Sequence, residues 1–293
     1  MNRHPMLSSA VRLSFILPAM AILLLLTAYP LYLVFQMSFY DYSTYAQPTF
    51  AGFMNYVNVL RDEMFWVAFR NTLVFTFASL VLTIVTGMGF AVLLNQKVNA
   101  KVRAVFRSVL MFPWLISSAV VGSLWVLMLS PFGLFNWILQ QFGLISEGIA
   151  WLSEERFAMA GLVIANVWRG FPFAMLMILA AFQTVPDDIQ EAALVDGANR
   201  TQRFLHIVLP SIRGILFTIT TLELIWTFRV FDLVFLMTGG GPVHSTENLS
   251  TYVYFNAFRS LDFGHASATA IFMLGTMVCI SVFYIRNILK REA

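Results

Sequence analysis

The chain has 293 residues, of which 59% are hydrophobic and 11% are charged, and its formal net charge is +3. A soluble globular domain carries about 25% charged residues because its surface faces water. The composition therefore excludes a soluble domain and indicates an outer surface that faces lipid, and the small net charge gives no support for nucleic-acid binding. The single cysteine, Cys279, excludes an internal disulfide bond, and we expect it to be buried as a small apolar residue.

Long apolar runs predict the membrane-spanning helices. A span needs about 20 mostly apolar residues, and four charge-free runs reach that length, while two more contain a few ionisable residues. The fold class predicted is all-α: a polytopic membrane protein with six transmembrane helices over 13–286, between an amino-terminal segment 1–12 and a carboxyl-terminal segment 287–293. The spans are expected near 13–35, 71–94, 106–129, 158–182, 212–237 and 264–286.

The distribution of basic residues sets the orientation of these spans, because cytoplasmic segments are richer in Lys and Arg. With both termini inside, twelve such residues fall in inner segments and four in outer segments. This predicts a multi-pass protein of the bacterial cytoplasmic (inner) membrane with cytoplasmic termini. The inner residues are Arg3, Arg12, Lys97, Lys101, Arg103, Arg107, Arg200, Arg203, Arg213, Arg286, Lys290 and Arg291, and the outer ones are Arg61, Arg70, Arg156 and Arg259.

The inner segment 184–211, between spans four and five, has the pattern of two short helices joined by a turn. Asp187 is a candidate cap of the first helix, with Gln190 three residues further on. Gly197 suits the left-handed residue that ends such a helix, and Thr201 is a candidate cap of the second helix. We therefore predict a helix–turn–helix that projects into the cytoplasm.

The same segment resembles the coupling motif of ABC importer permeases: Glu-Ala-Ala, three residues, Gly, nine residues, Ile-x-Leu-Pro. Other stretches are similar to carbohydrate permeases of the maltose/glycerol-3-phosphate type, and to the first of their two paired permease subunits. The motif residues are Glu191, Ala192, Ala193, Asp196, Gly197, Ile207, Leu209 and Pro210; the other stretches are Asn71-Thr-Leu, Phe112-Pro-Trp, Trp168-Arg-Gly-Phe-Pro-Phe, Phe231-Asp and Thr238-Gly-Gly-Gly-Pro.

The resemblance implies a transport assembly. A second homologous permease subunit would share the translocation pathway, two ABC ATPase subunits would dock on the Glu-Ala-Ala helix, and an extracytoplasmic solute-binding protein would deliver a small sugar-like molecule. The sequence has no phosphate-binding loop of the G-x-x-x-x-G-K-[ST] type. We therefore expect ATP and Mg²⁺ to be bound by the ATPase subunits, with no cofactor, metal or catalytic residue in this chain.

Polar residues within the spans are candidates for the solute pathway, because ionisable groups in a membrane are costly and usually face a cavity or one another. For Glu223 two interpretations stay open: an acceptor of hydrogen bonds from a sugar, or a structural partner of Arg169. Arg229 and Asp232, three residues apart, are expected to form a structural ion pair. The candidate pathway residues are Thr220, Glu223, Trp226, Thr227, Asn166 and Arg169.

Two alternative functions remain open at this point. One is a permease for another small solute, such as a polyol or glycerol phosphate. The other is a secondary transporter driven by an ion gradient, which would have inverted repeats and broken helices near the membrane midplane. The glycine run Gly239–Gly241 is expected to form a flexible outer loop, since glycine permits turns that other residues do not.

Overall fold

The computed structural model describes residues 9–42, 48–96 and 99–292. The predicted amino-terminal segment lies mostly outside these residues, as do Arg3 and Lys97 among the basic residues, and the side chains of 287–293 are not described. The chain divides into two compact units, which are described separately. They are Met1–Asp62 with Val253–Leu274, and Glu63–Tyr252 with Gly275–Ala293.

Helices make up most of the described chain, and this confirms the predicted all-α membrane fold. Within the described residues, four helices are long and apolar enough to cross a membrane, and the number rises to six if each of two bent pairs is counted as one span. The four are Ile16–Met37, Glu63–Leu94, Glu155–Phe182 and Phe263–Arg286, and the pairs are Ala100–Leu115 with Ser118–Met128 and Arg200–Ser211 with Arg213–Phe228.

The first unit begins with a helical span that contains one π-helical turn, followed by a short β-hairpin in which Tyr40 is paired with Phe50. The Asn55 side-chain amide donates to the backbone carbonyls of Ser38 and Tyr40, each at 2.9 Å, and so holds the chain where it leaves the span. The elements are α1 (Ser9–Leu23), the π turn Leu24–Ala28, α2 (Tyr29–Met37), β1 (Tyr40–Asp41), β2 (Thr49–Phe50) and α3 (Met54–Arg61).

The second unit contains the remaining spans and the segment between spans four and five. Its elements are α4 (Glu63–Leu94), α5 (Ala100–Leu115), α6 (Ser118–Met128), α7 (Leu134–Gln141), α8 (Glu155–Phe182), α9 (Asp187–Val195), α10 (Arg200–Arg203), the π turn Phe204–Val208, α11 (Leu209–Ser211), α12 (Arg213–Phe228) and α13 (Asp232–Met237). Helices α14 (Leu249–Phe258) and α15 (Phe263–Glu292) each run from one unit into the other.

Helices α4 and α8 pack closely where Gly87 meets α8. A Cβ atom added to Gly87 would lie 2.9 Å from the Cβ of Ala174 and 2.9 Å from the backbone nitrogen of Met175. Two buried apolar clusters lie along this helix pair, and α8 contributes to both of them. One contains Ala91, Met175, Ile178, Phe182, Ile212 and Ile219, and the other contains Phe75, Val121, Trp125, Leu162, Leu233 and Met237.

The structure differs from the straight spans predicted over 106–129 and 212–237. The first is bent by 97° between α5 and α6, where Ile116 is extended and the Ser117 hydroxyl accepts a hydrogen bond from the Val120 nitrogen. The second is interrupted between α12 and α13. The first interruption lies within the charge-free run 108–146, so hydropathy alone gives no sign of it.

The prediction for Cys279 was wrong, because its side chain is exposed in this chain. It lies on α15, whose neighbours Leu274, Val278 and Val282 are also exposed. In a membrane an apolar side chain can face lipid or a partner subunit at no cost, so an apolar run does not require burial within its own chain.

Gly87 and Gly89 provide a matched test of the contact between α4 and α8. Gly87→Ala should destabilise the protein by about 1–3 kcal/mol, the usual cost of adding a methyl group to a full core. Gly89→Ala should be neutral or slightly stabilising, because nothing lies within 4 Å of an added Cβ there. The midpoint of unfolding in a detergent titration, measured for both variants, checks the difference. Equal midpoints would contradict the close packing described here.

Candidate functional site

A cavity of about 510 Å³ lies among α5, α6, α8, α12 and α13. Five of the six residues predicted for the solute pathway line it, and the missing one is Thr220. That hydroxyl donates to the Leu216 carbonyl at 2.7 Å and faces Tyr284 on α15 instead of the cavity. The lining residues are Trp114, Ser118, Asn166, Arg169, Gly170, Glu223, Trp226, Thr227, Arg229, Val230 and Asp232.

Glu223 lies deep in the cavity wall and is only 5% exposed. Its Oε2 atom is 3.6 Å from the position that a Cβ atom of Gly170 would occupy, so the glycine leaves room for the carboxylate against α8. The Arg169 guanidinium acts electrostatically on this carboxylate, but the two groups form no salt bridge within 4.0 Å. Thr227, one turn further along α12, is also buried and completes the polar stripe.

The Arg169 side chain contains a hydrogen-bond donor that has no acceptor among the described residues. Its Nε atom is buried and has no hydrogen-bond partner within the described part of the chain. A buried donor left without an acceptor is costly. Together with the neighbouring Glu223, Arg169 therefore offers a donor and an acceptor to a polar molecule in the cavity.

Two tryptophans border the cavity on its apolar side. Trp114 stacks on Phe173 with ring centroids 5.6 Å apart, and Trp226 meets the same phenylalanine edge to face at 5.0 Å. Trp226 is 37% exposed and Trp114 40% exposed, so both rings keep an accessible surface. The cavity thus combines charged groups with aromatic faces, the combination that suits a ligand with hydroxyl edges and apolar faces.

Arg229 and Asp232 do not form the predicted ion pair, because no salt bridge joins them within 4.0 Å. The prediction assumed a continuous helix with the two residues three positions apart. Helix α12 ends at Phe228 and α13 begins at Asp232, so the two side chains are not on consecutive turns of one helix. Both residues line the cavity instead.

The broken helices explain why a polar cavity exists at this depth. Non-helical backbone within a membrane is tolerated where it is buried in protein or lines a cavity. The break before Ser118 and the break after Phe228 both lie at the cavity. The carbonyl of Val230, in the second break, accepts a 2.6 Å hydrogen bond from the buried Asn248 amide.

The loop that carries Asn248 is held by residues from the start of the second predicted span. The Asn71 amide donates to the carbonyls of His244 and Glu247, at 2.9 and 3.0 Å, and the Thr72 hydroxyl accepts from the Leu249 nitrogen at 2.9 Å. Two of the sequence stretches noted above, Asn71-Thr-Leu and the glycine run with its flank, are therefore joined in space through one loop.

The glycine run forms a hydrogen-bonded turn, which differs from the flexible loop expected. Gly239 and Gly240 have φ angles of 58° and 87°, which an L-residue adopts with difficulty. The Thr238 and Thr246 hydroxyls lie 2.8 Å apart across the turn, and the Thr246 hydroxyl donates to the Gly241 carbonyl at 2.6 Å.

The motif segment 184–211 contains a helix, α9, that ends in a left-handed glycine. Gly197 has a φ angle of 82°, as its position predicted. The Gly197 nitrogen donates to the Leu194 carbonyl, and the Ala198 nitrogen donates to the Ala193 carbonyl at 2.9 Å. These two bonds form a Schellman motif, which fixes the direction in which the chain leaves α9.

The predicted caps of the two short helices were wrong in detail. Pro186 occupies the N-cap position of α9, so Asp187 lies in the first turn and its charge favours the helix dipole instead. The second helix is capped by Asn199, whose side chain accepts from the Gln202 nitrogen while the Gln202 side chain accepts from the Asn199 nitrogen. Asn is also the stronger N-cap residue of the two, since Thr ranks below Asn at this position.

Helix α9 exposes large apolar side chains in its first and last turns. Ile189, Leu194 and Val195 are exposed, and Val195 keeps 87% of its surface. Of the predicted motif residues, Glu191, Ala192, Asp196 and Gly197 are exposed, while Ala193, Ile207 and Leu209 are half-buried. Leu194 and Val195 belong to the same exposed surface, although the motif comparison did not single them out. Such a patch marks a surface for a partner.

Comparison with known proteins assigns the family. The sequence profile described as "Binding-protein-dependent transport system inner membrane component" matches residues 84–292. The chain belongs to this family. It is therefore a transport permease component of an inner membrane, and the ion-gradient alternative is not supported. The broken helices, which that alternative would also have, do not distinguish the two.

Individual relatives match nearly the whole chain. The "Trehalose/maltose transport system permease protein MalF" of Thermococcus litoralis is 34% identical over 273 residues, 92% of this permease and 91% of the relative. The "Sulfoquinovosyl glycerol transport system permease protein SmoG" of Agrobacterium fabrum is 32% identical over 278 residues, 94% and 89% of the two chains.

A solved structure supports the same architecture. A chain of a bacterial ABC transporter involved in the import of the acidic polysaccharide alginate superposes with a TM-score of 0.83 at 26% identity. The match covers 96% of this permease and 95% of that chain.

Proposed function

We propose that this permease is one of two paired subunits of an ABC importer for a sugar or sugar derivative, and that the cavity around Glu223 holds the solute during translocation. The observation that carries the proposal is the convergence of Asn166, Arg169, Glu223, Trp226 and Thr227 on one cavity. The relatives named for trehalose and maltose, sulfoquinovosyl glycerol and glycerol 3-phosphate, and the alginate transporter, all handle polyhydroxylated molecules.

The chemistry of the cavity fits such a solute. A carboxylate accepts hydrogen bonds from hydroxyl groups, and a guanidinium donates them through a planar array of N–H groups. Glu223 and Asp232 supply acceptors, while Arg169 and Arg229 supply donors, so the formal charge of the lining is balanced. The exposed face of Trp226 offers a surface for the apolar face of a sugar ring. A polyol or glycerol phosphate uses the same groups and remains the second candidate.

The assembly proposed has four kinds of component. A second homologous permease closes the pathway, with this chain as the first of the pair. Two ABC ATPase subunits bind ATP and Mg²⁺ in the cytoplasm, and a solute-binding protein delivers the solute from outside. The alginate transporter has been solved with an oligosaccharide-bound periplasmic protein, which supports this last component. The excess of basic residues in the segments predicted to lie inside supports cytoplasmic amino and carboxyl termini.

The segment from Glu191 to Pro210 is proposed to couple the ATPase to the pathway. Its exposed apolar side chains suit a helix-in-groove contact with the ATPase. Movement of α9 would then reach α8 and α12, the two helices that the segment joins and that both line the cavity. The left-handed Gly197 sets the angle between α9 and the rest of the segment.

Substitution of Gly197 tests this coupling role. Gly197→Leu should impair transport, because an L-residue other than Asn or Asp costs roughly 1–2 kcal/mol in the left-handed conformation. Gly197→Asn should retain most of the transport activity, since asparagine tolerates the left-handed conformation. Nothing lies within 4 Å of a Cβ atom added at position 197, so a clash at Cβ does not contribute to the effect of either substitution. Uptake and ATP hydrolysis per assembled complex are measured together. Normal uptake per assembled complex in Gly197→Leu would contradict a coupling role, whereas ATP hydrolysis without uptake would support it.

Substitutions at the polar stripe test the solute site. Glu223→Gln should lower transport by roughly tenfold or more, because a hydrogen bond to a charged group is worth about 1.5–3 kcal/mol. Thr227→Val should lower transport by a smaller factor. Thr220→Val is the matched control, because Thr220 does not line the cavity, and it should leave transport unchanged. The measurement is uptake per assembled complex of labelled trehalose, maltose and sn-glycerol 3-phosphate.

The amount of assembled complex separates the two interpretations of Glu223. A structural role lowers the amount of complex in Glu223→Gln without changing transport per complex. A role in solute binding leaves assembly intact and changes the rate or the choice of solute. Parental transport by both cavity variants would exclude this face as the solute site.

A further inference from the structure

A second cavity, of about 540 Å³, lies at the other end of the spans, where α4 and α8 meet the coupling segment. Its lining combines apolar residues from the last turns of the two spans and from the π turn that precedes α11 with polar and cationic residues. The apolar residues are Val92, Phe182, Phe204 and Val208, and the polar residues are Asn95, Gln96, Gln190, Arg200 and Arg203.

Arg203 is the side chain that most needs a ligand here. The residue is half-buried, and its Nε atom is fully buried without a hydrogen-bond partner in the part of the chain that the structure describes. A buried guanidinium N–H without an acceptor is unfavourable. An acceptor that enters the cavity would satisfy it.

The two arginines of this cavity have no carboxylate in a salt bridge with them within the described residues. Acidic residues are available nearby on α9, at Asp187, Asp188 and Glu191, yet neither Arg200 nor Arg203 forms a salt bridge with any described residue within 4.0 Å. The cavity therefore attracts an anion.

The local backbone helps to form the cavity. Residues 204–208 adopt a π-helical turn directly after Arg203. Turns of this kind are rare and occur frequently at functional sites. The Phe204 ring, at the start of the turn, packs edge to face on Phe182 with centroids 6.2 Å apart, which builds the apolar wall beside the guanidinium groups.

The position of the cavity favours an amphipathic anion. Leu94 and Phe182 end the helices α4 and α8, so the cavity lies where two spans leave the hydrocarbon region. Basic pockets between transmembrane helices on the cytoplasmic side bind anionic lipid headgroups, and an arginine fork matches the oxygens of a phosphate. An apolar wall beside that fork suits the start of an acyl chain.

We propose that this cavity is a phosphate-binding site, with Arg203 and Arg200 as its donors, and that an anionic phospholipid of the cytoplasmic leaflet supplies the phosphate. The ligand would touch both the ends of the spans and Gln190 on α9. It would thus bind at the base of the coupling segment, away from the cavity around Glu223.

The test uses the complete transporter, with its partner permease and ATPase subunits, in nanodiscs of phosphatidylcholine with and without phosphatidylglycerol. Native mass spectrometry measures the phosphatidylglycerol retained per complex. Arg203→Gln should weaken retention roughly tenfold or more, because it removes a hydrogen bond from a charged donor to the phosphate, worth about 1.5–3 kcal/mol. Arg213→Gln, which removes an exposed basic residue outside the cavity, should leave retention unchanged.

Further arms identify the source of the phosphate and guard against misfolding. Arg203→Lys keeps the charge but lacks the Nε–H group, so it should retain less lipid than the parent while assembling normally by size exclusion. If inorganic phosphate displaces the lipid and binds on its own in phosphatidylcholine nanodiscs, the site takes phosphate from solution. Equal retention by the parent and by Arg203→Gln overturns the proposal. Equal losses in Arg203→Gln and Arg213→Gln, or ATPase side chains filling the cavity in a structure of the complex, also overturn it.

Discussion

The close contact between helices α4 and α8 at Gly87 is the interaction on which the second unit depends. Lipid gives no hydrophobic driving force between helices, so association within a membrane relies on close packing, and small residues allow it. Gly87 allows the backbone of α4 to approach Ala174 and Met175. Helix α8 then contributes to both buried clusters, one with α12 and one with α6 and α13. The helices that surround the Glu223 cavity are thus held by the same central helix.

This arrangement lets the permease contain broken helices in a place where they are normally unfavourable. A helix end in hydrocarbon leaves backbone groups without partners. Here the ends of α12 and α13 meet a polar cavity, and Asn248 satisfies the Val230 carbonyl. The Asn71 amide in turn holds the loop that carries Asn248. The loop between α13 and α14 therefore supports the shape of the cavity, although it contributes no residue to the lining.

Sequence reasoning succeeded where a single physical signal dominates. Long apolar runs predicted the helical membrane fold, and the spacing around Glu191 predicted the family; the structure and the comparisons confirm both. The left-handed Gly197 followed from the same spacing. For the solute pathway, helical periodicity grouped Glu223 with Thr227, and both line the cavity. Their role in solute binding stays a prediction.

The wrong predictions share a physical cause. Where two local conformations are equally favourable, contacts with other parts of the chain decide which one forms. Arg229 and Asp232 were predicted to pair because their three-residue spacing assumes a helix that continues past Phe228, where α12 ends. Thr220 shares a helical face with Glu223, yet Tyr284 on α15 lies against it and turns it away from the cavity. Trp114 was not predicted to line the cavity. In the sequence it is only part of a stretch that is similar to carbohydrate permeases, because its distance from the cavity depends on the bend after α5.

The central claim is that the cavity around Glu223 is open to water and holds the solute, and cysteine labelling tests it most directly. Cys279 is first replaced by serine, because it is exposed. Thr227→Cys and Val85→Cys, the latter at an exposed apolar position on α4, are then treated with a membrane-impermeant thiol reagent in the assembled transporter. We predict that Thr227→Cys reacts, that trehalose, maltose or sn-glycerol 3-phosphate slows the reaction if that compound is transported, and that Val85→Cys does not react. Labelling of Thr227→Cys at one rate with and without the transported compound would contradict the account.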